Sequence, residues 1–66
     1  MYTIFYNEEL EILAKDLNYS FEHKIGDQIF LENEQYEIYH IASHFIVSDI
    51  DKSIKQKTYK IYMTQF

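Results

Sequence analysis

Asn7-Glu8-Glu9-Leu10-Glu11-Ile12-Leu13-Ala14-Lys15-Asp16-Leu17-Asn18, NEELEILAKDLN in one-letter code, is the stretch on which the fold class turns. Asn7 has the side chain of a helix N-cap, and Glu8, Glu9 and Glu11 would follow in the first turn, where the positive end of the helix dipole favours carboxylates. Leu10, Leu13, Ala14 and Leu17 recur at i, i+3, i+4 and i+7, which draws one apolar stripe. Glu11 and Lys15 add an i, i+4 pair on the outside. The spacing predicts a helix over 8–18.

On either side of it the period is two. Thr3-Ile4-Phe5-Tyr6 is β-branched and aromatic, which favours an extended segment. From Tyr19, Phe21, His23 and Ile25 alternate with Glu22 and Lys24 until Gly26-Asp27, the only glycine of a chain without proline. That glycine marks a turn entering a strand at Gln28 to Glu32. Glu32-Asn33-Glu34-Gln35 reads as the turn of a hairpin, with Asn33 taking the left-handed conformation.

Tyr36 to Val47 is β-rich but its alternation slips: Tyr36 and Ile38 share one face, and Ile41 belongs to the other register. A bulge near Tyr39 to Ala42 accounts for the slip and bends the strand. Ser48 to Gln56 is a loop or one helical turn. Thr58 to Met63 closes the chain as a strand, with Tyr59, Ile61 and Met63 on one face. The order β-α-β-β-β-β predicts an α+β fold, a short N-terminal helix packed on a small, strongly bent antiparallel sheet. Lys24 to Tyr39, with its Gly-Asp turn into a strand, resembles SH3-like barrels, which implies a barrel-type sheet.

Sixty-six residues from Met1 read as one small domain over 1–66. A domain of this size buries only about 60% of the surface of its unfolded chain. With no cysteine, neither disulfides nor thiolate zinc sites can compensate. Seven Tyr and five Phe supply packing instead, and a homo-dimer would supply more. No stretch reaches the length of a membrane span or has the pattern of a signal peptide, so the expected compartment is the cytoplasm. Scarce Ala, Gly, Pro and Arg beside plentiful Ile, Lys, Tyr and Asn match A/T-rich codons, as in a low-GC bacterium or its viruses.

The chemistry-bearing residues form no recognisable active site. One glycine cannot build a phosphate loop. His40 and His44 on a strand stand about 13 Å apart, too far to share a metal ion. No serine occupies a nucleophile elbow, so no enzyme activity and no cofactor is expected.

Charge is the remaining signal. The formal net charge is −5, and residues 7–37 carry nine acids against two lysines, whereas residues 52–60 carry four lysines and no acid. An acidic field repels nucleic acid and attracts basic proteins. Glu8, Glu9, Glu11, Glu32, Glu34, Tyr36 and Glu37 form the candidate partner-binding surface. If Glu32 and Glu34 lie in extended chain, about 6.6 Å separates them on one face, near the spacing of phosphates along a strand of nucleic acid. The expectation is a virus-encoded inhibitor that occupies the nucleic-acid-binding surface of a basic host protein as a DNA mimic, its affinity falling as salt rises. Two alternatives are a nucleic-acid-binding barrel using Lys55, Lys57, Tyr59, Lys60 and Tyr62, and a structural assembly subunit.

Overall fold

A computed structural model describes residues 2–16 and 22–66. Among these described residues five strands make one sheet: β1 (Tyr2–Tyr6), β2 (Ile12–Asp16), β3 (Gln28–Leu31), β4 (Glu34–Val47) and β5 (Ile54–Gln65). Their spatial order is β2-β1-β5-β4-β3, with β1 parallel to β5 and every other pair antiparallel. No helix occurs among the described residues, which corrects the α+β expectation and its β-α-β-β-β-β order. The fold is all-β, a curled half-barrel.

The capping chemistry of the decisive stretch is present but caps a turn. Asn7 Oδ1 accepts the backbone N–H of Glu9 at 3.0 Å and of Glu11 at 2.9 Å. The chain then reverses: Leu10 N–H donates to Asn7 O, Asn7 N–H donates to Glu11 O, and Leu10 sits at φ 64. A helix cannot pass through a left-handed residue, so Ile12 leaves as a strand antiparallel to β1. The apolar stripe fails at the same point, because Leu10 is 64% exposed while Leu13 and Ala14 pack on the core. A register shift between Phe5 and Tyr6 leaves Leu13 as an extra residue in β2, so adjacent residues reach one core. Leu17 and the start of the strand expected from Tyr19, with Phe21, lie outside the described residues. Glu22 to Lys24 form no strand, which corrects the alternation read through His23 and Ile25.

The β signals further on match what forms. Gly26 has φ 97 and a backbone that donates to Ile38 O at 2.8 Å, and the Asp27 carboxylate accepts Lys24 N–H at 3.1 Å. In the β3–β4 hairpin Leu31 pairs with Glu34, leaving a two-residue turn. Its left-handed residue is Glu32, at φ 56, rather than Asn33. The slip in β4 is a bulge: Ile38 pairs with Met63 and His40 with Tyr62, so Tyr39 is the extra residue. Ile41 thereby returns to the face of Ile38.

That face carries the core. Phe5, Tyr36, Ile38, Ile61 and Met63 are buried, and Leu13, Ile29, Leu31, Ile41 and Tyr59 pack around them. Full burial of one such aliphatic side chain contributes roughly 1.5–3 kcal/mol. Curling stops short of closure: no Cα of β2 lies within 8 Å of one in β3, so the sheet is an open half-barrel, correcting the barrel implied by the SH3-like resemblance.

The two longest strands outrun the rest. β3 pairs with β4 only as far as Glu37, and β1 pairs with β5 only down to Thr58. Ile54 to Lys57 and their partners up to Val47 therefore project as a two-stranded arm, and the molecule measures 45 × 21 × 18 Å. The arm ends in a hydrogen-bonded loop, Ser48 to Ser53, in which Ser48 O accepts Lys52 N–H and Ser53 O accepts Ser48 N–H.

Candidate functional site

The candidate carboxylates come from two turns that the sheet brings to one end. β1 ends beside Tyr62, so the Asn7–Glu11 turn reaches the C-terminal end of β5. The β3–β4 turn arrives there from the other side, because Tyr36 pairs with Gln65. Side chains tie the two turns to β5: Thr64 Oγ1 donates to Glu8 Oε1, and Gln65 Nε2 donates to Glu34 Oε2. A recess of about 190 Å³ lined by Asn7, Glu8, Glu9, Tyr36 and Gln65 lies between them. A second, of about 260 Å³, opens where the half-barrel fails to close and is lined by Leu13, Ala14, Leu31, Glu32, Glu34 and Tyr36.

Tyr36 lines both recesses, but not as the exposed anchor that the sequence suggests. It is 7% exposed and belongs to the core, so it forms a floor between the two groups of acids. Glu11 lies in the same turn as Glu8 and Glu9, where its carboxylate accepts Asn7 Nδ2 at 3.2 Å. Glu37 alternates with Tyr36 and Ile38, so its side chain leaves the other face of the sheet, beside Thr64, whose hydroxyl also holds the Glu8 carboxylate. The phosphate-like spacing of Glu32 and Glu34 also fails, because Glu32 is a turn residue at φ 56 rather than extended chain. What survives is convergence on one end of the molecule.

Three of the six lysines lie toward the opposite end. Lys52, Lys55 and Lys57 are exposed on the arm, joined there by Asp49 and Asp51. From Ile54 to Gln65, β5 spans roughly 36 Å at about 3.3 Å per residue, so the molecule has an acidic end and a distant arm of mixed charge. The five residues of the nucleic-acid-binding alternative do not share a surface. Tyr59 packs against the core, Lys55 and Lys57 are on the arm, and Lys60 and Tyr62 lie on the outer face.

That outer face holds a feature the sequence reading missed. Tyr6 and Tyr62 stack with ring centroids 5.1 Å apart and planes 14° from parallel, and His40 lies 5.4 Å from Tyr62 on the other side. The row spans β1, β5 and β4. Its members are distant in sequence, and only the parallel β1–β5 pairing places Tyr6 beside Tyr62. The chain matches no family model, no curated protein and no solved structure. No helix among the described residues is long and apolar enough to cross a membrane.

Proposed function

We propose that this is a non-enzymatic protein-binding module whose acidic end, built from Glu8, Glu9, Glu11, Glu32 and Glu34 around Tyr36, occupies a basic surface of another protein. The observation that carries the reading is the convergence of carboxylates from two separate turns on the recesses beside Tyr36. Carboxylates held on a β scaffold present negative charge at fixed positions, which steers a positive partner and limits the side-chain ordering lost on binding. A groove that binds nucleic acid is such a partner, so the protein acts as a nucleic-acid mimic. Together with the A/T-rich composition this favours a small virus-encoded inhibitor working in the cytoplasm of its host.

A displacement experiment tests the proposal. A basic DNA-binding protein is loaded with a labelled duplex oligonucleotide, and this protein is added at increasing salt. Release of the duplex at low salt, weakening as salt rises and lost in the Glu8→Lys, Glu34→Lys double variant, is the expected result. Release that ignores both salt and the double variant, or no release at any salt, would overturn it. The aromatic row of Tyr6, Tyr62 and His40 beside Lys60 favours a second reading, stacking on single-stranded bases. A gel shift with a single-stranded oligonucleotide decides it, since retardation lost in Tyr62→Ala is required.

A further inference from the structure

The arm is an incomplete sheet. On the side of β4 away from β5, no described strand pairs with Tyr39 to Val47, a run of nine residues whose outward backbone N–H and C=O groups have no partner strand. Beside His40, Ser43 and His44 it carries apolar side chains open to solvent: Phe45 is 45% exposed, Ile46 48% and Val47 42%. Edge strands are ordinarily guarded by lysine, proline or inward-pointing charge. The other edge of the arm is guarded in that way, by Lys55 and Lys57, whereas Tyr39 to Val47 contains no Lys, Asp, Glu or Pro, and its bulge lies at its first residue, Tyr39, leaving His40 to Val47 regular. A lone two-stranded ribbon is also marginal in water, so this part of the fold gains most from an added strand.

The geometry points to a second copy of this chain as that strand, with the free edge of β4 pairing antiparallel to itself across a two-fold axis. Matching the free run to itself places the axis at Ser43. Phe45 then faces Ile41 of the second copy on the core side of a continuous ten-stranded sheet.

Charge also selects this edge over those of β2 and β3, the two outer strands of the sheet. β2 and β3 border the acidic end, so pairing through either would bring like-charged turns together. Pairing at Ser43 sets the acidic ends on the outside. Ser43 pairs with Tyr59, and Gln65 lies six steps along β5 from Tyr59, so the two acidic ends stand roughly 40 Å apart. That is several times the screening length of about 8 Å at physiological ionic strength, and the repulsion between two chains of net charge −5 is largely removed.

Area sets the strength. A nine-residue edge about 30 Å long and a sheet about 10 Å thick give roughly 300 Å² per copy, well under the roughly 800 Å² per partner of a standard stable interface. The dimer is therefore reversible and concentration-dependent. It uses a surface separate from the acidic end, and its failure would leave the binding proposal standing.

Analytical ultracentrifugation of the full chain, from low micromolar to near millimolar, is the test. The mass is expected to rise reversibly from 8.1 kDa to twice that value and no further. Ser43→Lys opposes two like charges across the axis and is expected to keep the chain monomeric over the whole range. A cross-link guards against a variant that merely misfolds: the chain has no cysteine, so Ser43→Cys introduces a single thiol. Its disulfide dimer is expected to form at least about tenfold faster than that of Glu9→Cys, because directly opposite residues lie within disulfide reach. A chain that stays monomeric, one that grows past a dimer, or two cysteine variants that cross-link at equal rates would each overturn the inference.

Discussion

Leucine 10 distinguishes a helix from a turn by the sign of one free-energy difference. Comparing Leu10→Ala with Leu10→Gly removes the leucine side chain in both variants and leaves only a backbone term. At φ 64 an L-residue carries a left-handed penalty of about 1–2 kcal/mol, and glycine escapes it while losing about 0.5–1 kcal/mol more backbone entropy on folding. The turn therefore makes Leu10→Gly the more stable variant by roughly 0.5–1 kcal/mol. Inside a helix the order reverses, with Leu10→Ala ahead by about 1 kcal/mol. The two structures thus differ by about 1.5–2 kcal/mol at this position. Thermal unfolding followed by far-UV circular dichroism has ample resolution, since 1 kcal/mol moves the midpoint by roughly 4–8 °C in a domain of this size. Side-chain loss does not disturb the comparison, because Leu10 is 64% exposed and both variants lose the same contacts. If Leu10→Ala unfolds at the higher temperature, the turn at Asn7–Glu11 and the strand after it are wrong.

Three further outcomes are expected. Ile61 is fully buried at the centre of the sheet, so Ile61→Ala is expected to cost about 2–5 kcal/mol in urea denaturation; a loss below about 1 kcal/mol would contradict a core centred there. In a double-mutant cycle of Tyr6→Leu and Tyr62→Leu, the stacked rings are expected to couple by about 0.5–1.5 kcal/mol, and zero coupling would refute the parallel β1–β5 pairing. Asp51 Oδ1 accepts the Ser53 hydroxyl at 2.8 Å and the Ser53 N–H at 3.1 Å, which holds its carboxyl below the ordinary 3.8. A depressed folded value means that these bonds support the arm loop at pH above 3.8 and are lost as pH falls through the folded value. A carboxyl titration by NMR is expected to show Asp51 below the ordinary 3.8, and Ser53→Ala is expected to raise it; no change in Ser53→Ala would refute the assignment.

What could be read in advance divides by range. Local β signals were legible because their causes are local: Gly26 supplies the positive φ of its turn, and the slip of alternation between Ile38 and Ile41 is the bulge at Tyr39. The acids at Asn7–Glu11 and at Glu32 and Glu34 were legible as a charged set. Their placement was not, since Tyr36 had to be buried and Glu37 turned to the other face before the surface had a shape.

The Asn7–Asp16 stretch marks the boundary most clearly. Its residues carry both a helical stripe and enough apolar side chains for a strand, and a short helix has little stability of its own without packing. The exposed edge of β1 resolved the ambiguity, by offering backbone partners and a core that Leu13 and Ala14 could reach together across a bulge. By itself the sequence determined the turns at Gly26 and after Leu31 and which residues are apolar or charged, because each of those properties belongs to one residue and its neighbours. Tertiary structure alone decided that β1 lies between β2 and β5, that the half-barrel stays open, and that β4 keeps a bare edge, because strand pairing depends on hydrogen bonds between segments far apart in the chain.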